Sequence, residues 1–277
     1  MTLPVFTPYI DSSEWLENSS RLRDFYDEHG YLYLKGVLDK KLVRGVAQQV
    51  LAGLKSTGSV PPDATLNNIG LEIYESVDEA VLQSQVDYDG FWNHPQTIEV
   101  FEKVFGEPVF VFKSSTIRYY PAQTNPDGPS YITPFHQDGC FLGPNKDFRT
   151  IWIPLLPTSP TIGGVAIADG SHKLGLREHL ADDRYKQFGH AVSAIPAATL
   201  AEYAPLVFSP VEPGDLLIFH AFTCHRSVPN TSPDGDVRIS MDTRVQPAST
   251  EAGYIARTPW AALVSETLSH LGDATGN

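Results

Sequence analysis

The sequence predicts a mainly β fold, a sandwich or barrel of short strands with flanking helices, on three observations. Strand-like runs at 150–154, 164–168, 215–220 and 237–245 recur between Pro and Gly clusters. Helical periodicity concentrates before residue 106. The 277 residues, 42% hydrophobic and 19% charged, suffice to bury a sizeable core as a single domain spanning 1–277.

The elements follow in chain order. Residues 21–29 carry a short helical pattern stopped by Gly30, and Tyr31-Leu32-Tyr33-Leu34 then reads as a strand. Between 41 and 54, Leu42, Val46, Val50 and Leu54 form one apolar stripe, with Asp39 as the cap. The mixed, polar stretch 56–90, helical near 77–85, reads as a surface excursion or lid. A helix at 94–105 closes at Gly106 and Pro108, and 109–120 is a long β-rich run. Residues 122–133 are rich in Pro, Asn and Gly, a loop placed to act as a lid. The Ala-rich, charged stretch 174–206 interrupts the strands and reads as a partly helical insertion. No internal repeat or linker is visible.

The formal charge of −13 disfavours nucleic acid or an anionic membrane as partner, because both need clustered Lys and Arg. Only Cys140 and Cys224 are present, too few for a disulfide framework, which fits a cytoplasmic protein. No window is apolar enough to span a membrane. The expected partner is a small molecule; oligomeric state is not encoded in any pattern.

His136-Gln137-Asp138 is the most informative stretch. Side chains at i and i+2 of a strand share a face, so His136 and Asp138 can grip one ion. A histidine from a distant strand completes two imidazoles and one carboxylate, a set that leaves coordination positions open for a non-haem Fe(II) oxygenase. His225 is preferred to His220 because it directly precedes the Ser and Asn turn and lies at a workable distance from Arg238. Cys224, its neighbour, should face the other way as a small buried hydrophobe. In 237–245 apolar and polar residues alternate, placing Arg238, Ser240, Asp242 and Arg244 on one side. Arg238 either anchors an acidic cosubstrate through a carboxylate fork or pairs with Asp236 or Asp242. Arg244, about 20 Å further along the strand, reads as a structural ion pair.

His136-Gln137-Asp138, Trp152 in a following strand, Gly163-Gly164 leading to Asp169-Gly170-Ser171-His172-Lys173, and His225-Arg226-Ser227 with Asn230 and Arg238 together resemble the phytanoyl-CoA dioxygenase family. The resemblance covers roughly the C-terminal half and the helix–strand opening. It implies a double-stranded β-helix, or jelly roll, with Fe(II) on His136, Asp138 and His225. It also places 2-oxoglutarate against Arg238 and Ser227, with Trp152 lining the pocket, and dioxygen as second cosubstrate. His172 is then structural, since a fourth ligand would block the open site. Asp138 argues against halogenation, for which the related halogenases carry a small residue here.

The activity so implied is oxidation of a small metabolite, hydroxylation by default, in a biosynthetic tailoring step. The same chemistry can desaturate, epoxidise or cyclise; a sensor that only binds metal, or an oxygenase without 2-oxoglutarate, is the other alternative. Phe135, Phe141, Tyr119, Tyr120 and Tyr131 are candidates for an aromatic wall, and Lys113 and Arg118 for contact with an anion.

Overall fold

The computed structural model describes residues 6–72, 76–123, 132–142, 147–187, 190–196, 199, 205–259 and 262–263. Local signals set the N-terminal elements. Helix α1, Ser19–His29, starts where Asn18 accepts from the Arg21 amide and stops at Gly30, whose left-handed φ of 71° suits a residue without Cβ. Strand β1, Tyr31–Leu34, follows at once. In α2, Lys40–Ser56, Asp39 accepts from the amides of Lys41 and Leu42, while Val43, Val46, Val50 and Leu54 are buried. Short helices α3, Glu79–Ser84, and α4, Tyr88–Trp92, precede α5, Pro95–Phe105, which His94 caps and Gly106 ends.

The strands are β2 Val109–Val111, β3 Thr116–Tyr120, β4 Arg149–Pro154, β5 Val165–Ala168, β6 Leu180–Gln187, β7 His190–Ala194, β8 Leu206–Val207, β9 Leu216–His220, β10 His225–Ser227 and β11 Arg238–Pro247. A last helical turn, α6, covers Tyr254–Arg257. The larger sheet runs β1-β9-β4-β11-β2, with β3 also pairing β11, and the smaller runs β10-β5-β8; all these pairs are antiparallel. Strand alternation then builds three layers. Tyr31, Tyr33, Trp152, Leu217 and Phe219 turn inward to meet Val165, Ile167 and Val207 of the smaller sheet. Their sequence neighbours Leu32, Leu34, Ile151, Ile153, Leu216 and Ile218 face the helices, packing with Leu22, Val46, Val50 and Phe101. The outcome is a jelly roll backed by helices.

Three expectations change. The run 109–120 is two strands, because Phe112 bonds the Arg244 carbonyl and Ser115 turns its hydroxyl to Thr243 between them. Stretch 56–90 is no surface excursion: Val60, Ile69, Leu71, Leu82 and Val86 enter the main core, and Gln83 donates to the Ile117 carbonyl of β3. The insertion 174–206 contains the β6–β7 hairpin where helix was expected: Leu180–Gln187 pairs antiparallel with His190–Ala194 directly after it, and this mutual pairing outweighs the helical preference of the Ala and charged residues. Most of the loop 122–133, with Tyr131, lies outside the described residues.

Candidate active site

His136 and His225 are brought together by the backbone. Each donates its amide to the other's carbonyl at 3.0 Å, an isolated bridge that extends the smaller sheet. Gln137 is extended, φ −127° and ψ 129°, so Asp138 emerges on the side of His136; the chain leaves the strand there, as Asp138–Cys140 form a 3-10 turn. The same-face argument therefore holds at a strand end and not within a strand. One donor atom each from His136, Asp138 and His225 lies within 4.8 Å of the others. The three residues are 9%, 4% and 6% exposed, so water is largely excluded.

Hydrogen bonds fix the donor atoms. His136 Nδ1 faces the Pro134 carbonyl at 2.8 Å and His225 Nδ1 the Thr223 carbonyl at 3.0 Å. A carbonyl only accepts, so both rings carry their proton on Nδ1 and turn the Nε2 lone pair inward. Burial, reinforced by His136, pushes His225 down to about 3, keeping it neutral at physiological pH. Asp138 divides its oxygens. Oδ2 accepts from Thr150 Oγ1 at 2.6 Å and from Arg244 Nη2 at 2.7 Å and Nε at 3.1 Å. Oδ1 faces His136 Nε2 at 3.4 Å and His225 Nε2 at 3.9 Å. Burial disfavours the charge on Asp138, but Arg244 and the two histidines override it and hold the carboxyl well below the usual range.

These donors fit a divalent transition metal: two imidazole nitrogens and one carboxylate oxygen converge, with no fourth ligand from His, Cys, Asp or Glu among the described residues. His220 is not in this group; its Nδ1 accepts from the Phe222 amide at the end of β9. Cys224 packs with Phe135, Ala168 and Ile195, and His172 bonds the Asp27 carbonyl of α1.

A cavity of about 220 Å³ adjoins the triad, and its lining includes Trp152, Ser227, Arg238, Ser240, Asp242 and Arg244. Arg238 is 3% exposed and has no carboxylate partner among the described residues. Asp242 instead pairs with Arg118 and Arg244. Arg238 Nη1 donates to the carbonyls of Gly164 and Val228, both at 2.9 Å, Nη2 donates to Ser227 Oγ at 3.2 Å, and the guanidinium lies 4.1 Å from the Tyr120 ring centre. Among the described residues its buried Nε has no hydrogen-bond partner. An uncompensated buried cation beside a cavity calls for an anion. Gly163 makes this cradle possible, because at φ 78° a Cβ there would stand 2.3 Å from the Val228 carbonyl.

Of the aromatic candidates, Tyr120 and the half-exposed Phe141 line the cavity, whereas Tyr119 joins the helix-side core and Phe135 a separate cluster. Arg118 also lines it; Lys113 is exposed. Sequence reasoning missed Thr150 and the grip of Arg244 on Asp138. Alternation had put Arg244 on the correct face, but distance from Arg238 hid its role, since β11 crosses the cavity from one end to the other. It also missed Gln137, whose buried amide bonds the Gly175 and Phe222 carbonyls and the Arg177 amide, bracing the turn between the ligands.

The sequence signature of the family described as "Phytanoyl-CoA dioxygenase (PhyH)" matches residues 26–239. Two relatives, each named 1-deoxypentalenic acid 11-beta-hydroxylase, stand out. That of Streptomyces arenae is 57% identical over 256 residues, covering 92% of this chain and 90% of the relative. That of Streptomyces exfoliatus is 56% identical over 253 residues, covering 91% and 89%. Among solved structures, a non-heme alpha ketoglutarate dependent carbocyclase, SnoK, from nogalamycin biosynthesis superposes with a TM-score of 0.61 at 20% identity, covering 94% and 93%. EctD from S. alaskensis with bound Fe gives 0.56 at 15%, covering 91% and 87%. At such identities the structures share the fold. Taken with the signature across most of the sequence, the chain belongs to the phytanoyl-CoA dioxygenase family.

Proposed function

We propose that the protein is an Fe(II)- and 2-oxoglutarate-dependent dioxygenase that hydroxylates a small carboxylic acid of the 1-deoxypentalenic acid type, as a biosynthetic tailoring step. The observation that carries it is the pairing, in one cavity, of a two-histidine, one-carboxylate donor set with a buried Arg238 that meets no carboxylate among the described residues. His136 Nε2, Asp138 Oδ1 and His225 Nε2 hold the iron, which when bound supplies dioxygen activation coupled to oxidative decarboxylation of 2-oxoglutarate. Arg238 and Ser227 hold the far carboxylate of that cosubstrate, and Trp152 walls its carbon chain. The relatives named for 1-deoxypentalenic acid hydroxylation support the substrate class. So does the lining, which holds Arg118 and Arg226 as well as apolar Phe141, Leu142, Val165 and Ile255. The chain's own contribution to the reaction is positional: it excludes water, turns the Nε2 atoms of both imidazoles inward and aims one C–H bond.

No helix among the described residues is long and apolar enough to cross a membrane. We assign the protein to the cytoplasm, where the free thiols of Cys140 and Cys224 stay reduced.

The test is anaerobic addition of 2-oxoglutarate to the Fe(II) protein, then exposure to air with 1-deoxypentalenic acid. A charge-transfer band, substrate-stimulated succinate release and a product one oxygen atom heavier are expected. No band overturns the cosubstrate assignment; a product lacking two hydrogens makes the enzyme a desaturase or cyclase.

A further inference from the structure

We infer that Arg244 is a positioning residue for the metal centre: with Thr150 it claims one oxygen of Asp138 and confines this carboxylate to one-oxygen ligation. The inference rests on the Fe(II) reading and deepens it. A free carboxylate facing a dication can offer one oxygen or both, and the choice decides how many coordination positions stay open. Here the choice is made by the protein. Oδ2 accepts from Arg244 through two nitrogens, at 2.7 and 3.1 Å, and from the Thr150 hydroxyl at 2.6 Å. These contacts use its lone pairs and leave Oδ1 alone on the side of the imidazoles.

Arg244 is itself held. Its Nη1 donates to Asp242 Oδ1 at 2.7 Å, and Asp242 Oδ2 accepts from Arg118 Nε at 3.0 Å. Arg244, Asp242 and Arg118 all line the cavity. The guanidinium therefore cannot turn away from Asp138 without breaking a second buried ion pair. The register explains why this strand supplies it. Asp242 stands opposite Trp152 and Arg244 opposite Thr150 on β4, so the two groups that grip Oδ2 are cross-strand partners on the face that looks into the cavity. An ion pair kept only for stability would need neither the shared oxygen nor the adjoining hydroxyl.

The test is anaerobic titration of the metal-free full-length protein with Co(II), reading the visible absorption spectrum, for the unaltered chain, Arg244→Met, Arg244→Lys and Thr150→Val. Melting temperatures and the KM for 2-oxoglutarate are measured in parallel. For Arg244→Met the expected result is a Co(II) spectrum altered as a second carboxylate oxygen enters, metal affinity weaker by about tenfold or more, and kcat reduced while the KM for 2-oxoglutarate holds. Arg244→Lys should restore part of the spectrum. Thr150→Val removes one contact without stranding a charge, so it remains informative if Arg244→Met does not fold; the same spectral change, smaller, is expected. An unchanged spectrum and affinity in Thr150→Val and in every folded Arg244 variant, with only the melting temperature lowered, overturns the inference and leaves the Fe(II) reading intact. Failure of the unaltered protein to bind Co(II) overturns both.

Discussion

At the scale of single residues, the site is an exercise in assigning atoms. Each histidine surrenders Nδ1 to a carbonyl two residues back, and Asp138 surrenders Oδ2 to Arg244 and Thr150, so the inward donors are fixed before any ion arrives. His136→Ala should therefore abolish Fe(II) binding, read by equilibrium dialysis. Arg238→Met should leave iron bound but raise the 2-oxoglutarate concentration needed by about a hundredfold, since a charge-assisted carboxylate contact contributes about 1.5–3 kcal/mol. Unchanged cosubstrate affinity would dismiss the anchor. His225 gives a pH prediction. Its pKa is about 3 in the fold against an ordinary 6.5, so between these values the unfolded chain takes up a proton that the folded one refuses. Its contribution is complete above the upper value and is lost as pH falls towards the lower one. Denaturant unfolding of the metal-free protein should thus show about 2 kcal/mol less stability at pH 5 than at pH 7 from this group, a difference that His225→Asn removes. The sequence disclosed the identities of His136, Asp138 and Arg238 because spacing and alternation are local. It hid Thr150 and Gln137 because their roles exist only once separate segments meet.

At the scale of elements, legibility followed the clarity of the local signal. Helices α1, α2 and α5 were readable to within a turn at each end, since Asp39, Gly30 and Gly106 act on amides and carbonyls next to them in sequence; the caps Asn18 and His94 went unread. Hairpin β6–β7 was not, although its strands are neighbours in sequence, because Leu180–Gln187 shows no period-two alternation and its Ala and charged residues favour a helix. The turn at Gly163-Gly164 lies between these extremes: the glycine pair was visible, but its purpose was not. Its carbonyl and that of Val228 seat Arg238. Gly163→Ala should cost about 1–3 kcal/mol from left-handed backbone and the clash with Val228, and should weaken 2-oxoglutarate binding while Fe(II) affinity holds. Isothermal titration with each ligand separates the two effects.

Across the whole molecule, the larger sheet serves two masters, apolar towards the helices and mixed aromatic and charged towards the cavity. Alternation along 237–245 made that division legible for β11; which strands would be neighbours was not, because β11 borders β4, β3 and β2 from three different parts of the chain. Ile218, fully buried on the helix side, tests the separation of the faces. Ile218→Ala should lose about 2–5 kcal/mol in chemical denaturation yet bind Fe(II) normally at low temperature. Strand β11 has one more consequence. It carries Arg238 at one end and, through Arg244, reaches the ligand Asp138 at the other, and both ends are locked by antiparallel partners. A stiff backbone thus gauges the cosubstrate's length: 2-oxoadipate, one methylene longer, and oxaloacetate, one shorter, should each fail to reach both ends and support little turnover.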